Sequence, residues 1–241
     1  MNRSKSTEAS RSLAWVKDGT ARVAQHASRL APAEFAVPTR LPGWSRAHLL
    51  AHLARNAEAL TNLTLWARTG VEIPMYKDAG QRDRDIQQSA GQAPPLLLAD
   101  FSETAAVLEA SVSAMDATAW AAEVRTARGR AIPASEIPWL RAREVWIHLV
   151  DLDAGFEMED LPADFVDALL DDVGSHFTGR KSFPTLRIEP TDRQRAWQIG
   201  DSRSATVVTA PAATALGWLI GRREPQALTA PSDLPSLPSW L

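Results

Sequence analysis

The chain has 241 residues, 45% of them hydrophobic and 23% charged, a composition typical of a globular protein with one large domain or two small ones. Its 26 basic and 29 acidic residues are spread along the sequence and give a net charge of −3, so charge indicates neither nucleic acid nor an anionic membrane as a partner. The absence of cysteine excludes disulfides, thiolate metal ligands and a cysteine nucleophile.

The N-terminal segment MNRSKSTEASRS is polar and leads into no apolar run. No later stretch approaches the roughly 20 apolar residues of a membrane span. We therefore expect a cytoplasmic protein.

Two helices are predicted first along the chain. Apolar residues recur at helical spacing over residues 7–30. Ser45 is a suitable N-cap for a second helix that runs to about Arg68, with Leu49 and Leu53 on its core face.

Three more helices follow a loop that ends near residue 80. A short one is predicted over 80–90 and a longer one from about Pro94 to Met115. Residues 122–138 mix β-branched residues, Gly and Pro, and predict a connection with one short extended piece. The next helix is predicted to end near Asp153. Four long helices with long connections favour an antiparallel bundle.

The pattern changes after residue 160. An amphipathic helix is predicted over 162–177, followed by three short strand-like runs, a helix over 212–221 and a tail rich in Pro and Ser. The sequence therefore predicts an α+β chain of two domains, with a boundary near 155–163. The helical domain covers residues 1–157, and a small α+β domain with a short antiparallel sheet covers residues 163–241.

Glu144 and His148 stand four positions apart in the apolar segment REVWIHLVD, so they share one face of the predicted helix. Taken alone, this spacing predicts a local ion pair, which Arg141 could join.

The second helix adds His48 and His52, which are also four apart. His52 adjoins the apolar stripe and is expected to point inward, whereas His48 lies in the first turn near solvent. One of these histidines with Glu144 and His148 makes a set of two histidines and a carboxylate, which suits Zn²⁺ or another divalent ion. Two alternatives remain open: both histidines as ligands, or His52 as a core histidine without metal.

Two arginine pairs are candidates for a clamp that holds a carboxylate. The simpler explanation for each is a solvated surface or a favourable charge at the end of a helix. The pairs are Arg82 with Arg84, and Arg222 with Arg223.

The stretches LPGWSRAHLLAHLARNAEAL and REVWIHLVDLDAG, in this order, resemble the metal-binding helices of DinB-like four-helix proteins. With the appended segment ALGWLIGRRE, nearly the whole chain resembles the mycothiol-dependent maleylpyruvate isomerases. The resemblance implies zinc ligands at His52, Glu144 and His148. It also implies a catalytic arginine at Arg222, with Arg223 as the alternative because the two adjoin.

The resemblance further implies cis–trans isomerisation of maleylpyruvate to fumarylpyruvate in gentisate degradation, with mycothiol as the thiol cofactor. A chain without cysteine would borrow this nucleophile, which zinc would activate as a thiolate. Arg222 would hold a substrate carboxylate or stabilise an enolate, and Asp151 is either a partner of a ligating histidine or a surface acid.

Other functions remain open on the sequence alone. A mycothiol S-transferase would use the same metal and thiol, and a non-catalytic binding module would use neither. Two histidines and a glutamate also suit iron or nickel. A monomer is expected, with a small dicarboxylate substrate as its partner besides mycothiol.

Overall fold

The computed structural model describes residues 3–178, 180, 183–200, 205–230, 234–238 and 240. The chain divides into two compact units, Met1–Gly155 and Phe156–Leu241. Within the part of the chain that is described, no helix combines the length and apolar character needed to cross a bilayer.

The first unit is built mainly from helices. Its elements are α1 (Arg3–Ala27), α2 (Arg46–Thr69), α3 (Gln81–Ala90), α4 (Pro94–Ser113), α5 (Ala117–Ala121), β1 (Glu123–Arg125), β2 (Ala131–Pro133) and α6 (Ile137–Asp151). The helix α2 packs against α4, α3 and α6, while α1 packs mainly against α6. The four long helices predicted from the sequence are therefore present and form the bundle.

The connection before α6 contains more β-structure than its sequence predicts. Instead of one extended piece, β1 and β2 form an antiparallel pair in which Val124 is opposite Ile132, and both side chains are buried. Gly129 supports the turn between them with a φ of 76°, a conformation that glycine adopts without steric cost.

The start of α2 is fixed by Ser45, as predicted. The Ser45 hydroxyl accepts a hydrogen bond from the backbone N–H of His48, and the His48 ring lies against the Ser45 backbone N–H. This is a capping box in which histidine stands at the position usually held by Glu or Gln. Leu49 and Leu53 are fully buried, so the predicted core face of α2 is confirmed.

The helix α6 is held closely against α1. The Trp146 side chain is fully buried, and its Nε1 donates to the backbone carbonyl of Trp15 at 2.9 Å. Gly19 makes this approach possible, since a Cβ there would lie 2.6 Å from Val145 Cγ2 and 2.9 Å from Trp146 Nε1. The position of α6 therefore depends on a residue without a side chain on α1.

The second unit contains two helices and a three-stranded sheet among its described residues. Its elements are α7 (Ala163–Phe177), β3 (Leu186–Pro190), β4 (Trp197–Ile199), β5 (Thr206–Ala210) and α8 (Ala212–Leu219). The strand order is β4-β3-β5. The predicted antiparallel pairing is present between β3 and β4, and β5 adds a parallel pairing with β3.

Alternating burial explains this sheet. Along β3, Leu186 and Ile188 are fully buried while Arg187 and Glu189 are exposed, the pattern of a strand with one face on a core. The helices α7 and α8 pack against each other and against the sheet. Residue 204 of the third predicted strand and residues 231–233, 239 and 241 of the predicted tail lie outside the described residues.

Candidate metal centre

Three side chains of the first unit converge at one point. His52 Nε2 lies 2.8 Å from Glu144 Oε2, and His148 Nε2 lies 3.3 Å from the same oxygen. The two imidazole rings are nearly perpendicular, with centroids 4.9 Å apart. The structure thus brings together the residues that the sequence predicts as metal ligands, each offering one ligand atom within 4.8 Å of the others.

The packing of α2 against α6 positions these groups. Glu144 and His148 are one turn apart on α6, and His52 projects from α2 with only 4% of its surface exposed. The start of α2 is fastened to the end of α6 by Arg46, which donates from Nε to the Leu152 carbonyl at 3.0 Å and from Nη2 to the Asp153 carbonyl. These bonds therefore hold α2 with His52, and α6 with Glu144 and His148, in fixed relative positions.

Hydrogen bonds within the cluster set its charges. Burial lowers the pKa of His52, although the hydrogen bond to Glu144 opposes this. Burial would raise the pKa of Glu144, but hydrogen bonds from His148 and His52 hold that pKa well below its usual range. The carboxylate is therefore ionised at neutral pH.

The pKa of His148 is raised, whereas that of His52 is lowered. Burial alone would lower the pKa of His148, but hydrogen bonds to Asp151 and Glu144 outweigh it and raise the pKa to about 9. In the metal-free protein His148 is thus a cation at neutral pH, placed between two carboxylates.

Asp151 lies behind His148 and has no exposed surface. Its Oδ2 is 2.9 Å from His148 Nδ1, and its backbone carbonyl accepts from the Arg40 N–H at 3.0 Å. Asp151 is therefore a buried partner of His148 and not a surface acid. Such a carboxylate holds the proton on Nδ1 and leaves Nε2 facing the cluster.

On its other side, His52 lies against the positively charged side chain of Arg82 and the aromatic ring of Trp44. Arg82 Nη2 is 3.3 Å from His52 Nδ1, and its guanidinium lies over the Trp44 ring at 5.6 Å. The Trp44 and His52 ring centroids are 5.3 Å apart. Burial raises the pKa of Tyr76 to about 12, although a hydrogen bond with Arg82 opposes this, so the phenol is neutral.

The sequence named Arg82 only as a member of one of two arginine pairs that could clamp a carboxylate, and it did not indicate Trp44 or Tyr76 as site residues. Trp44 directly precedes the N-cap of α2, and Tyr76 is the single tyrosine of the chain, in the loop before α3. Trp44 lies near His52 because it adjoins the start of α2, whereas only the packing of the loop before α3 brings Tyr76 to Arg82.

His48 takes a different role from His52. Its Nδ1 lies 2.7 Å from Ser45 Oγ and its Nε2 lies 3.2 Å from Gln87 Oε1. The ring is thus engaged at the start of α2 and at α3, and the cluster formed by the described residues does not include it. The geometry does not support a ligand set with both histidines.

The donor set fits a divalent transition-metal ion. Two imidazoles and one carboxylate, with an open coordination position, are ligands that Zn²⁺ takes in catalytic sites. Ligand bonds of about 2.1 Å place two tetrahedral donors about 3.4 Å apart. Glu144 Oε2 lies 2.8 Å from His52 Nε2 and 3.3 Å from His148 Nε2, so small side-chain movements would bring these donor atoms to the separation that a bound ion requires.

Arg222 and Arg223 lie in the second unit, directly after α8. Arg222 Nη1 donates to the Ile220 carbonyl at 2.9 Å. Arg223 forms ion pairs through Nη2 with Glu157, at 3.4 Å, and with Glu159. The charge of Arg223 is therefore already compensated within its own unit.

Comparisons with known proteins cover both units. Residues 16–153 match the N-terminal domain of mycothiol maleylpyruvate isomerase, and residues 160–239 match the C-terminal domain of the same family. The chain belongs to the mycothiol maleylpyruvate isomerase family. The resemblance drawn from the two histidine-bearing helices and the GRRE segment is thereby confirmed.

Solved structures of this family are similar over almost the full length. The crystal structure of the mycothiol-dependent maleylpyruvate isomerase has 32% sequence identity and a TM-score of 0.89, covering 96% of this chain and 97% of that chain. The H52A mutant of that isomerase gives 31% identity and a TM-score of 0.88, with the same coverage. A comparison with curated protein sequences found no match.

Proposed function

We propose that this chain is a mycothiol-dependent isomerase that converts maleylpyruvate to fumarylpyruvate, a cis–trans isomerisation in the degradation of aromatic compounds through gentisate. The observation that carries the proposal is the cluster of His52, Glu144 and His148 in a member of this family that has no cysteine. We also propose a cytoplasmic location for the protein.

We infer that the three clustered side chains hold a divalent ion, with zinc as the proposed metal. A bound ion would supply a mycothiol thiolate at neutral pH, and addition and later elimination of that thiolate would allow rotation about the substrate's double bond.

The protein's own residues prepare this site. Glu144 is ionised at neutral pH and offers a carboxylate oxygen. His148 has to release the proton on Nε2, while Asp151 retains the one on Nδ1. His52 is kept neutral by burial, which suits a ligand nitrogen.

We propose that arginine side chains bind or stabilise the negative charges of the substrate. Arg222 would hold a carboxylate of the dicarboxylate substrate or stabilise the enolate formed on addition. Arg82, beside His52, offers a second guanidinium within the first unit.

The proposal is tested by incubating the metal-loaded protein with maleylpyruvate, with and without mycothiol, and following both isomers and the thiol by NMR. We expect conversion to fumarylpyruvate only when mycothiol is present, with mycothiol recovered unchanged. Turnover without thiol, or no turnover with it, would contradict the proposal.

The same experiment separates the other functions. A mycothiol S-transferase would consume the thiol in proportion to product. A non-catalytic binding module would show no turnover, no tightly bound metal and normal folding of Glu144→Ala. The cationic side chains Arg222 and Arg82 favour the isomerase, because a dicarboxylate substrate needs positive charge that a neutral electrophile does not.

A further inference from the structure

Arg82 extends from α3 toward the metal cluster and remains accessible to solvent. Its Nη2 lies 3.3 Å from His52 Nδ1, while 37% of its side chain is exposed. The guanidinium lies over the Trp44 ring at 5.6 Å, a cation–π contact that favours this position. A small molecule at the metal centre would therefore meet the positive charge of Arg82.

Tyr76 adds a hydroxyl group at the same place. The half-buried phenol forms a hydrogen bond with Arg82, and the charge of Glu144 acts on it as well. Because a guanidinium only donates, the phenol oxygen is the acceptor in that bond, and the hydroxyl hydrogen is available to another acceptor. Arg82 and Tyr76 thus present two kinds of donor beside the metal cluster.

Two groups already contact the Arg82 guanidinium. Asp83 Oδ1 is 2.9 Å from Nη1, but 74% of the Asp83 side chain is exposed, and such surface ion pairs are weak. His52 accepts from Nη2 only while its Nδ1 carries a lone pair. A neutral His52 that gives the lone pair of Nε2 to an ion has its proton on Nδ1, so Nη2 of Arg82 then needs a different acceptor.

We propose that Arg82 and Tyr76 together bind one carboxylate of the substrate, with Nη2 and the phenol hydroxyl as the donors. An ionised carboxylate has two oxygens and accepts charge-assisted hydrogen bonds from both groups. Tyr76 is then a residue that determines specificity for an anionic substrate. This site rests on the proposed function, because that function supplies the dicarboxylate.

The first probe is heptanedioate, a saturated dicarboxylate to which a thiolate cannot add, and the second is its singly charged monomethyl ester. Both are titrated by calorimetry into the full-length protein saturated with zinc, which removes any effect of a substitution on metal affinity. The variants are Arg82→Gln, Tyr76→Phe and the two combined. Arg84→Gln is the matched control, because Arg84 lies on the same helix and pairs with Asp78.

We expect the unaltered protein to prefer heptanedioate to its ester at least about tenfold. Arg82→Gln should weaken heptanedioate binding at least about tenfold and Tyr76→Phe about fivefold, because each removes a hydrogen bond to a charged group. Both should reduce the preference for the dicarboxylate, while Arg84→Gln should leave affinity and preference within about twofold. The double variant should lose less than the product of the two single losses, since both groups act on one carboxylate.

Three results would overturn the proposal. One is the absence of saturable heptanedioate binding. Another is equal affinity of Arg82→Gln and Arg84→Gln, which would assign the binding to the metal ion. The third is unchanged binding in Tyr76→Phe, which would remove the phenol from the site. If Arg82→Gln does not fold, Tyr76→Phe with the two probes still decides the outcome.

The titrations also separate this site from the proposed function, because they require no turnover. A protein that binds heptanedioate as expected but does not isomerise maleylpyruvate would contradict the function and support the site. An active isomerase in which Tyr76→Phe binds both probes like the unaltered protein would support the function and overturn the site.

Discussion

Asp151 and His148 form a buried hydrogen bond in which the carboxylate Oδ2 lies 2.9 Å from the imidazole Nδ1. Asp151 has no exposed surface and follows His148 by three residues on α6. The bond orients the ring so that Nε2, and not Nδ1, faces Glu144. One carboxylate outside the cluster thus decides which histidine nitrogen can reach an ion.

Replacing this carboxylate should weaken metal binding. Asp151→Asn keeps the size of the side chain but removes the charge that stabilises Nδ1–H, and we expect about a 10–100-fold loss of zinc affinity. The measurement is competition with a chromophoric chelator. Asp153→Asn is the control, because Asp153 is exposed and its side chain pairs with Arg40 outside the cluster. Equal affinities of the two variants would contradict the role of Asp151.

Metal affinity should rise with pH. In the metal-free protein the pKa of His148 is raised to about 9, so below that pH an ion must displace a proton from Nε2. We expect the apparent affinity to increase about tenfold per pH unit from pH 7 and to level off above pH 9. Titrations across this range, with proton release measured in buffers of different ionisation enthalpy, provide the test. An affinity independent of pH would exclude a protonated His148.

The same shift predicts how the stability of the metal-free fold depends on pH. The pKa of His148 is higher in the folded state than its usual value of about 6.5, so its contribution to stability is complete below about pH 6.5. That contribution is lost as pH rises through about 9. Chelated protein should therefore unfold more readily at pH 9.5 than at pH 7 in denaturant titrations, and Asp151→Asn should reduce the difference.

Arg82 should oppose metal binding at His52. A guanidinium only donates, so its contact with His52 Nδ1 requires a lone pair there and places the proton of neutral His52 on Nε2. Arg82→Gln removes a positive charge and supplies an acceptor for Nδ1–H. We expect zinc affinity to rise about fivefold or more, because the ion no longer meets the positive charge of Arg82 and Nδ1 of His52 can carry the proton that Nε2 must give up.

Arg84→Gln is the matched control for this effect. Arg84 lies on the same short helix, is exposed and pairs with Asp78. If both variants changed zinc affinity equally, the effect would be general electrostatics and not the contact with His52.

The two adjacent arginines of the second unit should differ in their effects. We expect Arg222→Gln to lower kcat/KM for maleylpyruvate at least about 100-fold, because a charge that holds or stabilises the reacting anion is removed. Arg223→Gln should instead lower the thermal stability, because its ion pairs with Glu157 and Glu159 are lost. The measurements are steady-state kinetics and thermal melts of both variants. A loss of kcat/KM in Arg223→Gln, with a loss of stability alone in Arg222→Gln, would assign the catalytic arginine to position 223.

Local sequence spacing predicted much of this site, and tertiary packing determined the rest. Glu144 and His148 share a helix face by spacing alone, and His52 was favoured over His48 because it adjoins Leu49 and Leu53. The contacts of Arg82 and Tyr76 with the cluster depend on how one loop and one short helix fold back onto α2. No local pattern encodes that arrangement.

In the second unit, local sequence patterns predicted the strands but not their order in the sheet. The three strands after residue 183 were recognisable from alternating and β-branched residues. Their order was not, because β4 precedes β5 in the chain but lies on the opposite side of β3. Parallel pairing of β3 with β5 is a non-local choice that short sequence runs do not specify.

We propose above all that His52, Glu144 and His148 hold a metal ion that the isomerisation requires. His52→Gln and His48→Gln test it as a matched pair, because the substitution is identical and glutamine can retain the capping role of residue 48. Metal content by mass spectrometry and mycothiol-dependent isomerisation should be measured on both purified variants. We predict that His52→Gln loses the metal and the activity while His48→Gln keeps both. A His52→Gln protein with full metal content and full activity would show that His52 is not a ligand of a required metal ion.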